Sequence, residues 1–134
     1  VEAIDGSEEL CKIASAYTGI PVRQMYFQDL DVREQYDGIW ACSSILHLEK
    51  TELRSVLKKM ADALRSDGWI YTSFKYGECE GMRTGRYFTD FTWSSFQRFI
   101  RDTESLSIAE SWVTGDVRPG REEEKWLNLL LQKR

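Results

Sequence analysis

Tyr36-Asp37-Gly38-Ile39-Trp40-Ala41-Cys42-Ser43-Ser44-Ile45-Leu46-His47-Leu48 is the stretch on which the fold turns. Residues 36–42 are apolar and β-prone, as a buried parallel strand requires. Further on, Leu53, Val56, Leu57, Met60 and Leu64 mark one stripe of a helix over 51–65. Ser66-Asp67-Gly68 closes that helix, with Gly68 expected in the left-handed turn, and leads into a strand over 69–76. Strand, helix and strand in succession form the unit of an α/β fold.

The same alternation extends in both directions. Upstream, a strand over 1–4 ends at Asp5-Gly6-Ser7. Ser7 suits a helix N-cap, with Glu8 and Glu9 in the first turn, where acidic side chains complement the helix dipole. Leu10, Ile13, Ala14 and Tyr17 share one face of that helix, and Gly19 with Pro21 stops it before a strand over 22–27. Downstream, Thr92 caps a helix carrying Trp93, Phe96, Phe99 and Ile100. Strands over 106–114 and 125–132 flank a polar loop containing Gly115, Pro119 and Gly120, while Gly77, Gly81 and Gly85 read as a mobile loop on the substrate side. The pattern predicts a single domain over 1–134. In it the strands at 1–4, 22–27, 36–42 and 69–76 run parallel in one sheet, and the last two form an antiparallel end.

Composition narrows the function. With 42% apolar and 30% charged residues the chain has ordinary globular usage. Its net charge of −4 argues against a dedicated nucleic-acid binder. No apolar run reaches the ~18 residues of a membrane span, and no signal-peptide pattern is present. Cys11, Cys42 and Cys79 lie far apart, which fits free thiols in a reducing cytoplasm rather than a disulfide framework. His47 is the one histidine and has no companions at ligand spacing, so no metal site is expected.

Three stretches together resemble the class I S-adenosylmethionine-dependent methyltransferases, particularly the small bacterial type 12-like group associated with tellurite resistance. They are Ala3-Ile4-Asp5-Gly6-Ser7, the thirteen residues from Tyr36 to Leu48, and Ala63-Leu64-Arg65-Ser66-Asp67-Gly68-Trp69-Ile70-Tyr71. The resemblance continues through Arg86-Tyr87-Phe88-Thr89 and Trp126-Leu127-Asn128, and so spans nearly the whole chain. It implies a Rossmann-like sandwich, mostly parallel with an antiparallel C-terminal hairpin. It also implies S-adenosylmethionine as cofactor and a small-molecule methyl acceptor. By resemblance, Asp5 takes the ribose hydroxyls, since a carboxylate can accept two hydrogen bonds from a vicinal diol. Gly6 belongs to the same turn; Met25-Tyr26-Phe27 and Asp29-Leu30 fall in the adenine-contacting region, where either Tyr26 or Asp29 aligns with the family's usual acidic residue. Ala41, Cys42 and Ser43 let the backbone approach the methionine part closely. His47 packs near the cofactor, and no residue is assigned a catalytic role. Lys75, Arg83, Arg86, Arg98, Arg101, Arg118 and Arg121, interleaved with Tyr76, Tyr87, Phe88 and Phe91, read either as a solvated face or as an embrace for an anionic or aromatic acceptor.

One departure stands out. Family members open with a strand and a glycine-rich turn whose amides hold the cofactor's carboxypropyl end, and no GxGxG or GxGxxG occurs among the nine glycines here. Val1 begins in mid-strand, so the expectation is an N-terminally truncated domain lacking the first strand and helix. Such a chain would bind cofactor weakly or not at all. It would expose sheet edges that close on each other, pair with a second copy, or take a complementing N-terminal segment. The alternative to an enzyme fragment is a non-catalytic α/β module acting through oligomerisation or partner binding.

Overall fold

The structure, a computed structural model, describes residues 1–134 and divides into two compact units, Val1–Asp31 and Val32–Arg134. In the first, β1 (Ala3–Asp5) and β2 (Val22–Gln24) pair in parallel, with α1 (Glu8–Thr18) as the crossover. The Ser7 hydroxyl accepts the Leu10 N–H at 3.2 Å, and Gly19 ends α1 in the left-handed conformation, both as the sequence predicts. The strand expected over 22–27 stops at Gln24, and Phe27–Asp29 forms a 3-10 turn instead. β1 is three residues long, so once the Met25 N–H has reached the Asp5 carbonyl no ladder partner remains.

The predicted apolar face of α1 is turned outward: Leu10, Ile13 and Tyr17 are exposed and Cys11 is the buried residue. Two polar contacts set this rotation. The Cys11 thiol donates to the Asp5 carbonyl at 3.4 Å, and the Ser15 hydroxyl accepts the Val22 N–H at 2.9 Å.

The second unit is built on a four-stranded sheet of β3 (Tyr36–Ala41), β4 (Leu64–Lys75), β7 (Leu106–Gly115) and β8 (Lys125–Lys133), in the order β3-β4-β8-β7. β3 and β4 are parallel, and β8 pairs antiparallel with β4 and β7, giving the expected antiparallel end. The four parallel strands therefore fall into two pairs in separate sheets, not in one. Apolar alternation identifies a strand and its faces but supplies no ladder neighbour; β1 has only β2, and the parallel partner of β3 is β4.

The core lies on one face of this sheet. Ile70, Phe74, Leu127, Leu129 and Leu131 are buried with Leu53, Val56 and Leu57 of α2 (Lys50–Ala63) and Phe96 of α3 (Trp93–Ile100). Phe91 meets Phe96 edge to face at 5.2 Å, an arrangement that adds quadrupole attraction to the apolar burial. Thr92 caps α3 in a reciprocal capping box with Ser95. The helix expected over 51–65 ends at Ala63, because Glu34 and Gln35 N–H groups take the Asp62 and Ala63 carbonyls at 2.9 and 2.8 Å. Leu64, expected on the helical stripe, is the first residue of β4.

Gly81 and Gly85 do not lie in a loose loop but in an antiparallel hairpin of β5 (Glu80–Arg83) and β6 (Arg86–Thr89), and Gly77 lies in the bend that leads into it. Thr84 and Gly85 turn it with φ of 48° and 83°, the twist a two-residue hairpin favours.

The turn at residues 66–68 is a bulge inside β4, since Tyr36 pairs with Leu64 and Gly38 with Trp69. Its left-handed residue is Asp67, at φ 64°, and not Gly68. Gly68 answers a different need, close backbone approach: a Cβ there would lie 2.9 Å from the Arg65 carbonyl oxygen and 3.1 Å from that of Asp37. Gly68→Ala is therefore expected to destabilise the fold by about 1–3 kcal/mol, read as a lower denaturation midpoint with an unchanged slope. An unchanged midpoint would show that the bulge can relax.

Candidate functional site

The exit of β3 is held by two hydroxyls of its parallel neighbour. The Thr72 hydroxyl donates to the Ala41 carbonyl at 3.1 Å, and the Ser73 hydroxyl accepts the Ser43 N–H at 3.0 Å. Ser43 sits at φ 48°, a conformation that costs a non-glycine residue about 1–3 kcal/mol and recurs at ligand sites. Ala41 is buried, whereas Cys42 and Ser43 are exposed. Ile45 and Leu46, both fully buried, anchor the next turn and bring His47 round to the hairpin. There the imidazole Nδ1 lies 2.9 Å from the Tyr87 carbonyl and the ring meets Phe88 edge-on at 4.7 Å. A carbonyl only accepts, so Nδ1 is the donor and a neutral ring keeps its lone pair on Nε2.

The hairpin is locked in turn. Arg83 forks onto the buried Asp90 carboxylate, and this hydrogen-bonded pairing raises the guanidinium pKa further. The Thr89 hydroxyl donates to the Leu48 carbonyl at 2.7 Å. The Tyr87 hydroxyl donates to Glu80 at 2.6 Å; that hydrogen bond pushes the phenol up to about 12 and holds the Glu80 carboxyl below its ordinary value.

Between the β3 exit, the hairpin and the loop joining β7 to β8 lies a cavity of about 1060 Å³. Cys42, Ser43 and His47 line it; Ala41 does not. Of the seven basic residues singled out in the second half, Lys75, Arg83, Arg86, Arg118 and Arg121 line this cavity, and Arg98 and Arg101 do not. Of the four aromatics interleaved with them, only Phe88 does; Phe91 belongs to the core. Tyr71, Trp126 and Asn128 also line it; the sequence places them in family-resembling stretches but not in the site. Tyr71 donates a short hydrogen bond to Asn128 Oδ1, whose amide nitrogen donates to the Thr114 hydroxyl at 3.0 Å. Burial leads the causes that raise the Tyr71 pKa. Asp116 takes hydrogen bonds from Arg118, which lower its pKa, and one from Trp126 Nε1.

In the first unit Asp5, Gly6 and Tyr26 come together. Asp5 Oδ1 accepts the Ser7 N–H at 2.8 Å, which leaves most of the carboxylate's roughly four acceptor positions open. A Cβ on Gly6 would lie 3.1 Å from the Tyr26 ring, so a side chain there would displace the ring. Tyr26 is 59% exposed, and Asp29 lies in the 3-10 turn beyond it. An exposed ring, a half-buried carboxylate and a side-chain-free turn fit a nucleoside with free ribose hydroxyls.

The methyltransferase-domain family model matches residues 1–72. The chain belongs to this family. Among solved structures, the 1,6-didemethyltoxoflavin-N1-methyltransferase of Burkholderia thailandensis, with bound 1,6-didemethyltoxoflavin and S-adenosylhomocysteine, aligns with a TM-score of 0.78 at 19% identity, over 99% of this chain and 60% of that one. The N-methyltransferase NodS of Bradyrhizobium japonicum, in complex with S-adenosylhomocysteine, gives 0.74 at 17% identity, over 97% and 64%. A SAM-dependent methyltransferase of Methanosarcina mazei gives 0.78 at 12% identity, over 97% and 80%. These likenesses establish the class I methyltransferase fold; the chain spans about three fifths of the first two neighbours. No curated protein sequence matches it. No helix is long and apolar enough to cross a membrane.

The Tyr87–Glu80 contact is directly testable. An ultraviolet difference titration of the methyltransferase domain, with Tyr87→Phe to assign the signal, should place one phenol near 12, and Glu80→Gln should return it toward the ordinary value of about 10. A Tyr87 signal unmoved by Glu80→Gln would mean that the hydrogen bond does not form in solution.

Proposed function

We propose that the chain serves S-adenosylmethionine-dependent methyl transfer to a small-molecule acceptor. The observation that carries this is the strained, doubly hydrogen-bonded exit of β3, which opens on the cavity at the C-terminal ends of two parallel strands, where open α/β sheets bind ligands. The cofactor, when bound, supplies a methyl group on a sulfonium centre. In the first unit Asp5 accepts the ribose hydroxyls, Gly6 leaves room for the nucleoside and Tyr26 offers its exposed ring. In the second, Ala41, Cys42 and Ser43 lie along the methionine part and His47 packs beside it. The acceptor occupies the cavity. A structural neighbour that holds a small molecule with S-adenosylhomocysteine supports an acceptor of that size.

Residues 1–134 contain no glycine-rich turn to present amides to the carboxypropyl end, so these residues alone bind the cofactor weakly. Three free thiols favour a cytoplasmic setting. Hydrogen bonds to a charged group contribute about 1.5–3 kcal/mol each. Asp5→Ala, made in the longest natural form of the protein, should accordingly weaken S-adenosylhomocysteine binding at least tenfold by calorimetry. Undiminished affinity would make Asp5 a turn residue and remove it from the site.

Association of copies belongs to the same proposal. β3 is an edge strand, and on its sheet face Trp40 is 74% exposed and stacks on Tyr71 at 4.2 Å, with Trp69 and Trp112 bordering the same groove. Aromatic surface of this extent invites a second copy. Light scattering should give a mass above 15.7 kDa that rises with concentration, and Trp40→Glu should lower it. A concentration-independent 15.7 kDa would rule the association out.

A further inference from the structure

The cavity inverts the charge of the chain that forms it. The whole molecule carries −4, yet five basic side chains and only two carboxylates, Asp116 and Glu124, line this space. Four of the five cations are paired with three carboxylates, one of them shared. Lys75 pairs with Glu124 at 3.1 Å, Arg121 with the same carboxylate at 3.5 Å, Arg118 with Asp116, and Arg83 with Asp90. Arg86 has no carboxylate within ion-pairing distance.

Its position makes that omission informative. Arg86 is the cross-strand partner of Arg83 at the tip of the hairpin, so two guanidinium side chains stand opposite each other across a two-residue turn. Like charges so placed repel. Asp90 answers Arg83 and nothing in the chain answers Arg86. The same space is lined by three aromatic rings, Phe88, which carries Lys75 and Arg83 at 4.9 and 4.7 Å from its ring centre, Tyr71 and Trp126, set among polar side chains such as Ser43, Ser73 and Asn128. Glu124, shared by two cations, and Asp116, bound to Arg118, have little left for a cationic ligand.

We propose that the acceptor is an aromatic small molecule bearing an oxyanion group, a carboxylate or a phosphate, and that Arg86 binds that group. This rests on the reading of the cavity as the acceptor site and names the class of acceptor it takes. A guanidinium suits the role because its planar fork meets two oxygens at once. The anion also relieves the repulsion between Arg83 and Arg86, so binding should stiffen the hairpin. Because His47 is tied to Tyr87 in β6, a bound anion would act on the ring beside the β3 exit as well.

The test is made on the full chain without cofactor, so its outcome is independent of whether the chain holds S-adenosylmethionine. Benzoate and phenyl phosphate are compared with neutral benzamide by ligand-observed NMR titration, in wild type, Arg86→Gln and, as a control away from the cavity, Arg98→Gln. The anionic probes should bind at least fivefold tighter than benzamide, weaken with added salt, and lose at least fivefold in Arg86→Gln but not in Arg98→Gln. The stronger of the two anions then tells carboxylate from phosphate. Equal binding of benzamide, no binding of either anion, or indifference to Arg86→Gln would overturn the proposal. Displacement of the probe by equimolar methionine would overturn it too, by assigning Arg86 to the cofactor's own carboxylate. Failure here with intact S-adenosylhomocysteine binding would remove the acceptor class alone; the reverse outcome would remove the cofactor reading alone.

Discussion

The second unit depends on how β4 grips the end of β3. Two consecutive hydroxyls, Thr72 and Ser73, engage the Ala41 carbonyl and the Ser43 amide from opposite sides of one strand. Thr72 is fully buried, so its hydroxyl would be costly to leave unpaired, and the ladder between β3 and β4 supplies the rigidity against which Ser43 can be held left-handed. Everything downstream inherits this placement. Ile45 and Leu46 enter the core one turn later, and His47 reaches the hairpin because that turn begins where it does.

The hairpin is the complementary element. It has little apolar burial of its own and is held mainly by polar contacts: Arg83 on Asp90, Thr89 on the Leu48 carbonyl, and the Tyr87 carbonyl beside His47. An element secured in this way responds to charge more readily than one secured by packing, since ion pairs and hydrogen bonds exchange with water while a filled core does not. Such an element over the strand ends can adjust without disturbing the sheet beneath it. The frame and the cavity are thus separated physically, one in the aliphatic and phenylalanine core and the other in the charged rim.

Much of the frame was legible in the residues themselves. Ser7, Gly19 and Thr92 terminate helices as their side chains or backbone freedom dictate, and the apolar stripe of α2 faces the core. Gly68 reads from the sequence as the left-handed residue of the turn, a role that Asp67 takes instead, because a missing Cβ serves both φ > 0 and close approach, and only the neighbouring carbonyls distinguish the two. The outward stripe of α1 was misread for a related reason. Leu10, Ile13 and Tyr17 satisfy the helical period, but a thiol and a hydroxyl set the rotation.

By itself the sequence determined the α/β alternation, the caps and the core helices, since each depends on local propensity or on a period of two or 3.6 residues, while the stretch from Tyr36 to Leu48 carries the family likeness through its residues. Tertiary structure alone decided which strands share a ladder and that the glycines at 81 and 85 serve a hairpin. It also decided which basic residues meet at one cavity. Lys75 reaches Glu124 across 49 positions of chain, whereas Arg98, nearer to Glu124 in sequence, lies away from the cavity. Charge patterning along a chain carries no information on such convergence, because ion pairs form between side chains that the packing of apolar residues has already brought together.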